Sequence, residues 1–236
     1  MDKKKINVII FAFASVIVFV GLLLVIAYNT VAVIEGISSK SLPVQEKLAA
    51  GEKIKRGDPL ISDAKLRYPQ AMISDPQWGD KKAKVTIFVY SELLCPECIG
   101  QLQTLKSIKK KYNDQQVRIV WKGVAKSPTE LLHQQAAYCA LIQGSFWPFV
   151  DRLINNSDEP SRLLYAEIAS ELGLSVDKFN ECLDQELVLD KIYKNNQDAV
   201  DLGVDSVPYF FIEYYPYRGP LTEQELTEVI EAELKK

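Results

Sequence analysis

Two cysteines separated by two residues, Cys95-Pro96-Glu97-Cys98, are the side chains in this 236-residue sequence whose type and spacing point to chemistry. They follow the apolar run Val85-Thr86-Ile87-Phe88-Val89-Tyr90 and precede a helical stretch from Ile99 to about Tyr112. In a strand–turn–helix setting such a pair reads as a redox couple rather than a metal knuckle. The spacing predicts Cys95 at the helix N-cap and Pro96 at the first helical position, where a missing N–H and a fixed φ are tolerated. There the helix dipole and the unpaired N–H groups favour a thiolate, which makes Cys95 the attacking sulfur. Cys98, one turn on, faces the same side and resolves a mixed disulfide. The competing chemistry is a structural zinc site, which needs a second Cys or His pair close by. His133 is the single histidine, and Cys139 and Cys182 stand far apart, so no metal site is expected.

The composition is that of an ordinary globular protein, and a net charge of −3 argues against a nucleic-acid partner. The length accommodates an anchor and one domain of ordinary size. Four cysteines suit an oxidising compartment in which two disulfides persist. The N-terminus is more informative. Asp2-Lys3-Lys4-Lys5 precedes an uncharged, almost wholly apolar run from Val8 to Tyr28, long enough to cross a bilayer core. One transmembrane helix is therefore expected over residues 6–28, with the lysines cytoplasmic and the rest of the chain outside. The alternative is a cleaved signal peptide, whose apolar core is usually only about 7–15 residues, with Thr30-Val31-Ala32 as a weak cleavage sequence.

Residues 29–74 are polar and weakly patterned, punctuated by Gly36, Pro43, Gly51, Gly57 and Pro59, and read as a linker. A flexible segment of that length holds a domain about 35–40 Å from a membrane on average. Tyr68, Met72 and Ile73 are the residues with which part of it could pack onto the domain. Asp75 to Gly79 reads as a turn and Asp80 to Lys84 as a charged loop. Val85 to Tyr90 has apolar side chains on both faces, as a central strand requires. Lys106, Lys109, Lys110 and Lys111 complement the C-terminal dipole of the following helix and form a solvated helix end. Val117 to Trp121 is a second strand, giving a β-α-β unit with a right-handed crossover.

Residues from about 128 to 203 change character. Pro128–Gln143, Phe146–Asn155, Ser161–Leu172, Val176–Leu183 and Leu187–Leu202 suit helices, with Gly144, Gly173 and Gly203 at their C-terminal ends. Phe146, Trp147 and Phe149 anchor a helical core. His133, on a helix with polar neighbours, is expected at the surface. Val204 to Ile212 follows, and Pro208 belongs at the start of its strand, because it cannot donate to a ladder. A cis bond is one way to accommodate that turn. Tyr214 to Tyr217 is the next strand, with Pro216 marking an edge or bulge, and Thr222-x-x-Glu225 opens a C-terminal helix with a capping box.

Val85 to Cys98, Ser206-Val207-Pro208 before Tyr209-Phe210-Phe211, and the helical block between them make residues 75–236 resemble the DsbA-like branch of the thioredoxin superfamily. The resemblance implies an α/β, thioredoxin-like fold with an inserted helical domain, here preceded by one N-terminal transmembrane helix. It implies a cis bond at Val207–Pro208 beside the active disulfide, and dithiol chemistry at the periplasm or cell surface without a bound cofactor. Cys95 and Cys98 are then the catalytic pair. The Val207 backbone and Pro208 receive an extended substrate segment, which in physical terms is β-strand addition. A pair such as Cys139 and Cys182 occurs in some relatives as a second, non-catalytic disulfide. Two buried thiols, or a relay to the active pair, are the other arrangements open to it.

Two residues depart from the family pattern. Many relatives place an acid where Val89 stands, so Glu92, Glu97 or water has to serve as the proton relay. The strongly oxidising bacterial relative has His where Glu97 stands. A carboxylate beside a developing thiolate raises its pKa, destabilises the reduced form and makes the disulfide less oxidising. Pro96 and Glu97 are therefore expected to modulate the pair, whereas Val207 matches the oxidase branch. The expected function is disulfide formation in exported proteins by an extracytoplasmic, membrane-anchored thiol–disulfide oxidoreductase. Its partners are exported protein thiols and a membrane or soluble protein that recycles the disulfide. A reductase or isomerase of the same fold, a non-enzymatic thiol metallochaperone, and a peptide-binding chaperone are the alternatives; Met1 and Met72, the only methionines, offer a metal carrier little.

Overall fold

The computed structural model describes residues 68–156 and 161–236. The expected membrane span at 6–28 and most of the expected linker lie outside the described residues. Among the described residues no helix is long and apolar enough to cross a membrane.

The chain forms β1 (Gln77–Trp78), β2 (Val85–Ser91), α1 (Pro96–Lys111) and β3 (Val117–Gly123). Five helices follow: α2 (Pro128–Ile142), α3 (Phe146–Leu153), α4 (Arg162–Glu171), α5 (Val176–Asp184) and α6 (Leu189–Asp201). β4 (Tyr209–Ile212), β5 (Tyr215–Arg218) and α7 (Glu223–Leu234) complete the domain. The helical block is thus inserted between β3 and β4, as the sequence predicts. Gly144, Gly173 and Gly203 carry positive φ just beyond the ends of α2, α4 and α6, the backbone that stops a helix most cheaply at glycine.

The sheet order is β1-β3-β2-β4-β5. β2 lies at its centre because both of its faces are apolar. It runs parallel to β3, with Val89 opposite Trp121, and antiparallel to β4, with Tyr90 opposite Tyr209. Ile87 and Val89 join Leu102, Leu105 and Ile108 of α1 and Leu226 and Ile230 of α7 in the main core. Phe88 and Tyr90 alternate to the other face, where Tyr90 meets Phe211 edge-on at 6.1 Å. α7 begins with the expected capping box of Thr222 and Glu225. Its approach to α1 is set by hydrogen bonds from the Leu221 N–H to Gln101 Oε1 (2.7 Å) and from the Tyr112 hydroxyl to Glu231 (3.0 Å).

Three expectations need correction. The turn expected at 75–79 closes earlier, with the Asp75 N–H donating to the Met72 carbonyl. Gln77 and Trp78 instead form β1 against β3, secured by the Arg118 guanidinium on Gln77 Oε1. Of the residues that could bring the preceding segment onto the domain, Tyr68 stacks edge-on against Tyr214 and Met72 lies beside Lys191, but Ile73 is exposed. His133 is fully buried rather than at the surface. Its polar neighbours Glu130, Gln134 and Gln135 are buried with it, because α2 is enclosed along most of its length.

One ion-pair cluster ties the domain's N-terminal edge to the sheet. Asp75 is buried and pairs with Lys122 of β3, at 2.8 Å and without exposure, and with Lys191 of α6. Lys122 Nζ also donates to the Gln70 carbonyl (2.6 Å). Burial pushes the Lys122 pKa down, and Asp75 pulls it back up. Replacing Asp75 by Asn leaves two ammonium groups facing a neutral amide. Denaturant unfolding of the Asp75→Asn variant should show a loss of about 3–5 kcal/mol, the usual cost of breaking a buried pair from one side.

Candidate active site

Cys95 is the N-cap of α1, with extended backbone (φ −72°, ψ 132°) and Pro96 in the first turn. Its Sγ accepts a hydrogen bond from the Cys98 N–H at 3.1 Å. One of the otherwise unpaired donors of the helix start is therefore directed at this sulfur, an arrangement that stabilises a thiolate. The two sulfurs are bonded to each other. Cys95 is partly exposed and Cys98 is not exposed at all, so an incoming thiolate reaches Cys95 and not its partner. Glu97 stands exposed in the same turn.

The β2–β4 register brings the second part of the site to this sheet end. With Tyr90 opposite Tyr209, the loop leaving β2 towards Cys95 and the Val207–Pro208 bond entering β4 emerge together. That bond is cis, Pro208 is buried and Val207 is partly exposed. β3 ends on the same side, since it is parallel to β2. A groove of about 200 Å³, lined by Val124, Ala199, Val200, Val204 and Val207 among others, opens there.

The sequence reading missed Glu130. This residue of α2 is 3% exposed, and its carboxylate accepts the Leu93 N–H at 2.5 Å and the Leu94 N–H at 3.1 Å. Those are the two residues before Cys95. Gln134, one turn on, donates to Glu130 and also to the Ser91 and Val124 carbonyls. Gln134 fits because Gly123 has no side chain: a Cβ there would lie 2.2 Å from Gln134 Oε1. Burial pushes the Glu130 pKa up to about 7, and the nearby Glu92 adds to this, while the amide donors pull it down. Burial also raises the pKa of Glu92, against the pull of Lys126. At Val89, the position where the resemblance leads one to look for an acid, the strand is apolar and fully buried. In the sequence Glu130 looks like an ordinary first-turn acid after Ser127-Pro128; the one hint is its i, i+4 pairing with Gln134.

Deeper in the insertion, His133 Nδ1 lies 3.0 Å from the Thr129 carbonyl and 3.2 Å from the Tyr165 hydroxyl, and burial lowers its pKa. Cys139 of α2 and Cys182 of α5 are bonded to each other, away from the Cys95 loop in the chain. Among the described residues no group of three or more His, Cys, Asp or Glu side chains could hold a metal ion.

Residues 72–232 match the family described as Thioredoxin. The chain belongs to that family, with a helical block interrupting the fold between β3 and β4. A thioredoxin-like oxidoreductase from Silicibacter pomeroyi DSS-3 is similar at a TM-score of 0.63 and 21% identity, over 70% of this chain and 95% of that one. Oxidised BdbD from Bacillus subtilis is similar at 0.62 and 21%, over 69% and 94%. Among curated relatives, a protein named Na(+)/H(+) antiporter NhaA from Herminiimonas arsenicoxydans is 27% identical over 154 residues, 65% of this chain and 25% of its own. The chain spans about a quarter of the length of such relatives, and their name describes them and not this chain.

The Glu130 environment has a consequence for stability. A folded-state pKa near 7, above the ordinary 4.5, means that the folded protein holds a proton which the unfolded chain has released. Its contribution is complete below about pH 4.5 and is lost as pH rises through about 7. Unfolding measured across that range should show wild type losing up to about 3 kcal/mol relative to Glu130→Gln, which cannot titrate.

Proposed function

We propose that the chain is a thiol–disulfide oxidoreductase that forms disulfides in exported proteins, anchored in the membrane with its redox domain outside the cytoplasm. The observation that carries the reading is the Cys95 sulfur: partly exposed, capping α1, hydrogen-bonded by the Cys98 N–H and linked to a buried partner. A substrate thiolate attacks Cys95 Sγ, and Cys98 leaves as the second thiolate. A second substrate thiol, losing its proton, then attacks the substrate sulfur of the mixed disulfide and releases Cys95. The substrate gives up two electrons and becomes a disulfide; the pair is reduced, and a membrane or soluble redox protein reoxidises it. Val207, preceding the cis bond, offers its backbone to an extended substrate segment.

The apolar run Val8–Tyr28 behind three lysines supports the anchored, outward-facing placement. The second bridge, Cys139–Cys182, suits an oxidising compartment. Glu97 sets the expected strength. Its exposed carboxylate, in the same turn as Cys95, opposes the thiolate, and the potential should fall below the about −120 mV of the strongest oxidants of this superfamily.

Cys98→Ser should accumulate mixed disulfides with exported proteins, visible as bands that collapse on reduction, whereas Cys95→Ser should give none. Mixed disulfides trapped by neither variant would contradict the exchange reading. Equilibration with glutathione measures the potential, and a value near −120 mV would show that Glu97 does not weaken the oxidant.

A further inference from the structure

Among the described residues, Glu130 is buried without the cationic partner that usually accompanies a buried carboxylate. Its partners are two backbone N–H groups and the Gln134 amide, none of them charged. Helix α2 contributes it from the insertion, yet it grips the loop of the thioredoxin core at the two positions leading directly into Cys95. From Leu94 N to Cys95 Sγ the covalent path is short, so the carboxylate lies within roughly 11 Å of that sulfur. At about 10 Å and an effective dielectric constant of about 20, one negative charge shifts a thiolate equilibrium about tenfold.

We propose that Glu130 is the positioning acid of the redox pair: it fixes the Leu93–Leu94 loop that sets Cys95 at the helix tip, and its charge opposes the Cys95 thiolate. This rests on the exchange reaction proposed above. Reduction of the disulfide brings two electrons to the sulfurs, leaves a proton on Cys98 and negative charge on Cys95. Glu130 then takes a further proton from solvent, because the new charge makes its ionised form less favourable. By linkage the effect is reciprocal: reduction raises the Glu130 pKa as much as ionised Glu130 raises that of Cys95.

The groups facing Glu130 are few. Glu92 approaches from the same loop and is itself drawn by Lys126, which stands just before α2. Tyr165 of α4 feels the Glu130 charge and is pushed up to about 12, chiefly by burial. His133, one turn along α2, has its pKa lowered by burial. Glu92, and Cys95 once reduced, are therefore the groups whose charge bears on Glu130.

Two measurements on the full-length chain in detergent test this. The first follows the Glu130 carboxyl carbon by NMR against pH in oxidised and reduced wild type, with Glu130→Gln giving the assignment. The midpoint should move up on reduction, and a midpoint indifferent to redox state would overturn the proposal. The second compares glutathione equilibria of wild type, Glu130→Gln and Glu130→Asp. At about pH 9, where Glu130 is ionised in both redox states, Glu130→Gln should favour the reduced protein about tenfold more than wild type, which is about 30 mV more oxidising, and the difference should shrink as pH falls through about 7. Glu130→Asp keeps the charge and should stay closer to wild type. An unchanged equilibrium in Glu130→Gln, with exchange intact, would reduce the residue to a structural hydrogen-bond acceptor. A wild-type pair that never equilibrates with glutathione would instead defeat the exchange reading and this proposal with it. Should Glu130→Gln fail to fold, the wild-type midpoint, assigned from Glu130→Asp, decides.

Discussion

A sulfur at the tip of α1 is useful only if the helix start points at it, and that orientation depends on where β2 ends. Ser91 is the last ladder residue of β2, and three loop residues carry the chain from there to Cys95. The apolar faces of β2 hold it in the middle of the sheet, between β3 and β4, so its end cannot shift without unpairing two ladders. The same pairing carries Pro208 to the redox pair, although it lies more than a hundred residues away in sequence. Sheet register thus places both halves of the site, and the helix N-terminus supplies the field.

The inserted helices do more than enlarge the core. α2 sends Glu130 and Gln134 into the gap beneath the Cys95 loop, where they take up the backbone groups of Ser91, Leu93, Leu94 and Val124. Such groups, buried without partners, would each cost about 1–3 kcal/mol. Asn195 of α6 continues the polar seam to the Gly123 carbonyl and the Tyr138 hydroxyl, and Lys191, one turn earlier, joins it to Asp75. Through this seam the insertion supports the loop that holds the disulfide. The Cys139–Cys182 bond ties α2, which carries that support, to α5.

Much of this was legible in the sequence because its causes are local. Alternating β-branched and aromatic residues marked β2, Cys95-Pro96 and Thr222-x-x-Glu225 marked helix starts, and glycines marked helix ends. The cis bond at Val207–Pro208 was expected from the resemblance and the position of the proline. What stayed hidden was the fate of polar residues on α2 and β3. His133, Glu130 and Lys122 look solvated when only neighbours in sequence are considered, and each is buried because elements distant in the chain enclose it. Glu130 is the clearest case: its capping-type position after Ser127 is real, since Ser127 Oγ accepts the Glu130 N–H, but its carboxylate serves another loop. β1 was too short to announce itself, and depends on Arg118 and Gln77 meeting across the sheet.

The account stands on Cys95 being the sulfur that the helix start activates. Alkylation of the reduced protein by iodoacetamide as a function of pH, mapped to each cysteine by mass spectrometry, tests this directly. Cys95 should react first, with a midpoint below the about 8.5 of an ordinary thiol, and Cys98 should be protected. Equal rates at the two positions with an ordinary midpoint, or Cys98 reacting first, would contradict it.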